Sequence, residues 1–93
     1  MDLGFFTMPI HPPDRPQHET LREDYEMAIL ADRLGYKEGF FGEHITDQAE
    51  NVTSSLIFIA WLLEQTKQIV LGTGTVNIPN HHPARVAAVF PIV

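Results

Sequence analysis

The chain opens on "LGFFTM", an unbroken apolar and aromatic run from Leu3 to Met8 that Pro9 closes. A run without polar alternation predicts a strand buried on both faces. Pro9 to Glu19 carries four prolines and predicts a loop, because proline lacks a backbone donor and keeps its predecessor extended. Thr20 with Glu23 three residues on is a capping-box pattern, and Gly35 stands where a C′ glycine belongs. The sequence therefore predicts a helix over Leu21 to Leu34. Its charges are scattered round the wheel and leave its inward face open. Lys37 to Gly42 is a second strand-like run leading into Glu43 and His44, and a polar loop, Ile45 to Asn51, follows. Thr53, Ser54 or Ser55 can cap a second helix, "LIFIAWLLE", that is apolar nearly all round and so needs cover from another helix or another subunit. A third strand runs from Ile69 to Leu71 into "GTGTV". A loop with Pro79 then precedes Pro83, placed for the first helical position of "PARVAAVF".

The order is strand, helix, strand, helix, strand, start of helix, with strand starts near residues 3, 37 and 69. That spacing suits βαβ units on a parallel sheet. Loops after strands are long and rich in Pro, His, Asp and Thr, whereas loops after helices are two or three residues. The asymmetry fits a (β/α)8 barrel, whose strand-to-helix loops carry the active site, and it fits a doubly wound sheet as well. No G-x-G-x-x-G follows the first strand, which argues against a Rossmann nucleotide site. A barrel needs about 250 residues, so the expectation is a partial (β/α)8 TIM barrel holding about the first three βα units, residues 1–93 being the N-terminal fragment of one domain. Three parallel strands leave sheet edges unpaired and helix faces uncovered.

Composition narrows the chemistry. With no cysteine, disulfides, zinc–thiolate sites and cysteine nucleophiles are excluded. A net charge of −6 with six Lys and Arg spread thinly offers no basic stripe for nucleic acid and no basic amphipathic helix for a membrane surface. The longest apolar run, Leu56 to Leu63, falls well short of the roughly 20 residues of a membrane span. The N-terminus has no basic region of the kind a signal peptide carries, so a cytoplasmic chain is expected.

With parallel strands, Thr7 and Met8, Glu43 and His44, and Thr73 to Thr75 converge at one end of the sheet. His44 can act there as general base, hydrogen-bond donor or metal ligand; equally, it can cap the strand or bond a loop carbonyl. Glu43, its neighbour, points to the opposite side. The glycines of "GTGTV" mark a bulge or a close backbone approach to a ligand, or a twisted strand end. His81 and His82 point apart in extended chain and match no metal motif. His11 and His18 read as solvated, and Phe58 and Trp61 as core or interface.

Taken together, "LGFFTM" with its proline-containing loop, "ADRLGYKEGFFGEHITD" and "IVLGTGTVNIPNHHPARVA" resemble the N-terminal third of the bacterial-luciferase-like flavin monooxygenases over residues 2–88. "GEH" and "GTGT…P…HPAR" recur at matching intervals, and "MPIHPP" is similar to the limonene-monooxygenase-like branch. The resemblance implies a TIM barrel that takes reduced FMN from a separate NAD(P)H-dependent flavin reductase and oxygenates a small organic substrate with dioxygen. It implies that His44 is the active-site histidine near the flavin ring, serving as acid/base or steadying the peroxide through a hydrogen bond. Gly74 and Thr75 match the bulge that often holds a non-proline cis peptide against the ring, and Met8 matches the loop lining it. The second helix matches part of the family's dimer interface, so a homo-oligomer is expected. Ile45 stands where the luciferases have a second histidine, so luminescence is not implied.

The chain departs from the family pattern at "VFPIV", where Pro91 interrupts the last helix after about two turns. The expectation is a truncation or frame change near Val89, with the phosphate-gripping loops of later strands not included. Two alternatives to the monooxygenase stand beside it: a non-catalytic truncated fragment that self-associates, and a deazaflavin-dependent hydride-transfer oxidoreductase of the same superfamily, in which His44 would bind or protonate a carbonyl substrate.

Overall fold

The computed structural model describes residues 1–45 and 47–90, so the expected effect of Pro91 lies outside the described residues. The elements follow the predicted order: β1 (Gly4–Thr7), α1 (Gln17–Arg33), β2 (Glu38–Phe41), α2 (Ser55–Leu63), β3 (Val70–Thr73), a short 3-10 turn (Ile78–Asn80) and α3 (Pro83–Val89). The strands form one parallel sheet in the order β1-β2-β3. Phe5, Gly39 and Leu71 stand level across it, as do Phe6, Phe40 and Gly72.

Alternation along the strands sorts side chains onto two faces. Phe5, Phe41 and Leu71 face the helices. Phe41 is fully buried and meets Phe5 and Phe58 edge to face, with ring centroids 5.6 and 4.9 Å apart. Ala28 of α1 and Phe58, Ile59 and Leu62 of α2 close this core, joined by Val52. Burying a side chain the size of Phe41 contributes about 1.5–3 kcal/mol. The opposite face carries Phe6, Phe40 and Val70, which are 57%, 37% and 63% exposed. The expectation that the first strand is buried on both faces is therefore corrected: β1 is an edge strand, and among the described residues no element covers that face of the sheet.

Helix α1 begins one turn earlier than the capping-box pattern predicts. Pro16 is the N-cap, with φ −57°, and its carbonyl accepts from the backbone N–H groups of Glu19 and Thr20. Thr20, inside the first turn and fully buried, donates its hydroxyl to the Gln17 carbonyl at 3.0 Å instead of capping. Proline's preset φ starts the helix where a threonine cap is not needed. The predicted end is as expected: Gly35 has φ +89°, its N–H donates to the Asp32 carbonyl and that of Tyr36 to the Ala31 carbonyl, the two bonds of a Schellman motif.

Asp32 secures the amino-terminal side of the sheet. Its carboxylate accepts from the backbone N–H groups of Lys67, Gln68 and Ile69 at 2.9–3.0 Å, fixing the turn into β3. Burial alone would push its pKa up, but these bonds outweigh that effect and hold it below the ordinary carboxylate value. Ser54 caps α2, its hydroxyl accepting from the Ile57 N–H at 3.3 Å. Only one stripe of α2 is buried. Ile57 is 74% exposed, and Trp61 stacks on Tyr25 with centroids 3.8 Å apart while remaining partly exposed. The described residues thus leave uncovered a helix that the sequence predicts to be covered on more than one side. Among them, no helix is long and apolar enough to cross a membrane.

Candidate active site at the carboxyl ends of the strands

The ladder of the sheet runs past the strand ends. The Gly42 N–H donates to the Thr7 carbonyl at 2.9 Å and the Gly74 N–H to the Phe41 carbonyl at 2.7 Å. These bonds bring Met8, Gly42 to His44, and Gly74 with Thr75 to one end of the fold. Close packing there depends on missing side chains. A Cβ on Gly42 would stand 2.7 Å from Met8 Cγ, and one on Gly74 would stand 2.6 Å from Phe6 Cε2. Met8 therefore lies over Gly42, and the Phe6 ring over Gly74. The peptide bond between Gly74 and Thr75 is cis, as the resemblance implied.

Glu43 and His44 part company as alternation requires. Glu43 is 3% exposed on the helix side. Its Oε2 accepts from the Ser55 backbone N–H at 2.9 Å and hydroxyl at 3.0 Å, at the start of α2. Its Oε1 accepts from the Asn77 N–H at 2.8 Å and pairs with His81 Nε2 at 3.1 Å, while the Asn77 side-chain amide donates to the Glu43 carbonyl. One buried carboxylate thereby joins the end of β2 to the start of α2 and to the loop after β3. Burial raises its pKa, but the bonds from Asn77, Ser55 and His81 prevail and hold it below the ordinary range.

His44 turns to the other side. Its backbone N–H donates to the Val52 carbonyl at 2.9 Å, and its ring Nδ1 lies 2.9 Å from Glu50 Oε2. Among the described residues, the partner of this ring is a carboxylate rather than a loop carbonyl. Sequence reasoning missed Glu50, which lies in a polar loop without periodicity. The same loop is pinned from two sides. Asp47 Oδ1 accepts from the backbone N–H groups of Ala49 and Glu50, and Ile10 bridges Glu50 as a short antiparallel pair.

His11 corrects another expectation. It is not solvated: its Nε2 sits 3.0 Å from both carboxylate oxygens of Asp24, with both side chains largely buried. The bond from the His11 N–H to the Ala49 carbonyl, 2.7 Å, ties the proline-rich loop to the loop after β2, while the His11–Asp24 pair holds it to α1. Burial drives the Asp24 pKa up, and the His11 contact offsets this only in part, so it lies above the ordinary value. His18 is exposed, as expected. His82 caps α3, its Nδ1 accepting from the Ala84 N–H behind Pro83. No group of three or more His, Asp or Glu suited to a metal occurs among the described residues.

Parallel strands with helices packed on one face, and polar residues gathered at the strand carboxyl ends, are the arrangement of consecutive βα units in a (β/α) barrel. The sequence profile of the luciferase-like monooxygenases matches residues 1–91, and the chain belongs to that family. It is 39% identical over 88 residues to 4-hydroxyprotoasukamycin monooxygenase of Streptomyces nodosus subsp. asukaensis, covering 95% of this chain and 24% of that protein. It is 38% identical over 87 residues to limonene 1,2-monooxygenase of Rhodococcus erythropolis, covering 94% and 22%. In three dimensions it is similar to the oxygenating constituent of 3,6-diketocamphane monooxygenase of Pseudomonas putida, a structure in complex with FMN. The TM-score is 0.88 at 28% identity, over 96% of this chain and 24% of that one. The chain spans about a quarter of the length of the relatives it matches.

Proposed function

We propose that this chain is the N-terminal, flavin-facing part of an FMN-dependent monooxygenase that oxygenates a small organic substrate with dioxygen, its reduced flavin coming from an NAD(P)H-dependent flavin reductase. What carries the reading is the gathering of His44, Met8, Gly42, Gly74 and Thr75 at the strand ends of a chain that belongs to this family. FMN is favoured over a deazaflavin because a neighbour of closely similar fold was solved with FMN.

The residues present suit a flat apolar ring. Phe6, Met8 and Phe40 form an exposed apolar floor beside the glycines, and His44 stands at its polar margin. Among the described residues the cofactor's phosphate has no comparable seat: Arg15 is the one Lys or Arg in the three strand-end loops, and Glu23 engages it. Met8, Gly74 and Thr75 would hold the ring. Reduced flavin, when bound, would supply the two electrons that, with two protons, let one atom of dioxygen leave as water while the other enters the substrate. With a ring lying on them, Phe6, Met8 and Phe40 would keep bulk water from that side. His44 would take up a proton at Nε2, the ring nitrogen turned away from Glu50, and return it.

FMN titration followed by flavin fluorescence, with product formation assayed beside a reductase, tests the reading. His44→Ala is expected to retain binding and lose roughly 100-fold or more in turnover. Unchanged product formation would remove His44 from the chemistry.

A second reading, self-association without catalysis, is favoured by the large exposed apolar side chains on two surfaces. Phe6 and Val70 lie on the sheet, and Leu34 and Ile57, 67% and 74% exposed, on the helices. A monodisperse homo-oligomer indifferent to FMN would favour it.

A further inference from the structure

Resting on the reading of His44 as the proton-handling group, we infer that Glu50 is its positioning residue, selecting which ring nitrogen carries the hydrogen. A neutral imidazole presents a donor at one nitrogen and a lone pair at the other, and the partner of one decides the character of both. Glu50 Oε2 lies 2.9 Å from His44 Nδ1. A carboxylate can only accept, so Nδ1 carries the hydrogen and Nε2 the lone pair. The nitrogen left for chemistry is thus ready to take a proton and return it.

Several features set this contact apart from a chance surface pair. The Glu50 side chain is 13% exposed, and a surface carboxylate would be far more open. Its backbone is fixed by the Asp47 carboxylate, by the bridge to Ile10, and through Ala49 by His11, which Asp24 holds in turn. From the other end, the His44 main chain is bonded to Val52, two residues beyond Glu50. Ring and carboxylate are therefore held from opposite ends of one short loop, so little ordering remains to be done when a substrate arrives. The proline-rich loop, otherwise without a part in the site, acts as the outer brace of this arrangement.

Long-range nitrogen–proton NMR of the labelled chain reads the tautomer directly, without flavin, in a buffer of about pH 8.5, well above the ordinary histidine range. His44 signals are identified by their loss in His44→Ala. The wild type is expected to show the Nδ1–H form, and Glu50→Ala the Nε2–H form, with the His11 and His81 signals unmoved as the check on folding. Should Glu50→Ala fail to fold, Glu50→Gln serves: its amide can donate as well as accept and is expected to give a mixture. An Nε2–H wild type, or a pure Nδ1–H form in either variant, overturns the assignment. If FMN does not bind while the tautomer switches as expected, the monooxygenase reading fails and the role of Glu50 stands. If FMN binds and the tautomer ignores Glu50, the reverse holds.

Discussion

Glu43 is stabilised as an anion by donors rather than by water, since it is 3% exposed and bonded by Ser55, Asn77 and His81. Its folded pKa lies below the ordinary 4.5, so the stability it contributes is complete above that value and is lost as pH falls through the folded value. Glu43→Gln keeps the shape but turns an amide donor toward groups that are themselves donors. Urea unfolding at neutral pH is expected to show a loss of about 2–3 kcal/mol, with a flatter acid limb below about pH 4.5. An unchanged midpoint would mean that the loops after β2 and β3 are held by other contacts. Part of this was legible in the sequence: alternation alone sends Glu43 and His44 to opposite sides. Its partners were not, because Asn77 and His81 lie 34 and 38 residues further on and no periodicity links them to it.

Helix ends show the same division between local and non-local signals. Gly35 could be read directly, since a φ of +89° at the end of α1 is a position that side chains resist. Gly35→Ala is expected to lower stability by about 1–2 kcal/mol in thermal unfolding. The Ser54 cap was one of three candidates, and only the structure singles it out; Ser54→Ala should cost about 1 kcal/mol, whereas Thr53→Ala, away from the cap, should cost little. The start of α1 was misread because Thr20 and Glu23 imitate a capping box one turn inside a helix that Pro16 begins. Both patterns are local, and choosing between them needs the burial of Thr20. Strand existence and order were legible from apolar runs. The uncovered face of β1 was not, because an apolar run says that a strand wants cover and not whether cover is present.

At the scale of the whole molecule, two buried carboxylates brace opposite ends of the sheet, Asp32 at the amino side and Glu43 at the carboxyl side, and both titrate below their ordinary values. The fold should therefore weaken in acid at both ends together. Between them lies a sheet with one packed face and one open face, and helix α2 with its outer side open. Ile57→Lys tests what that outer side does. At 74% exposed, Ile57 adds little to the fold, so its replacement should move stability by no more than about 0.5 kcal/mol while weakening any self-association seen in sedimentation. Sedimentation unchanged by the charge would place the contact between copies elsewhere.

The open face of the sheet carries one further consequence. On β3, a Cβ at Gly72 would stand 2.6 Å from Phe40 Cε1, so the ring on one strand occupies the gap left by the next. The two positions are coupled through one close approach: a methyl at position 72 crowds the ring, and a smaller side chain at position 40 makes room for it. Among descendants of this sequence, the two positions should change in concert, large with small. In the laboratory, Gly72→Ala combined with Phe40→Leu should be less harmful than the sum of the two substitutions made separately.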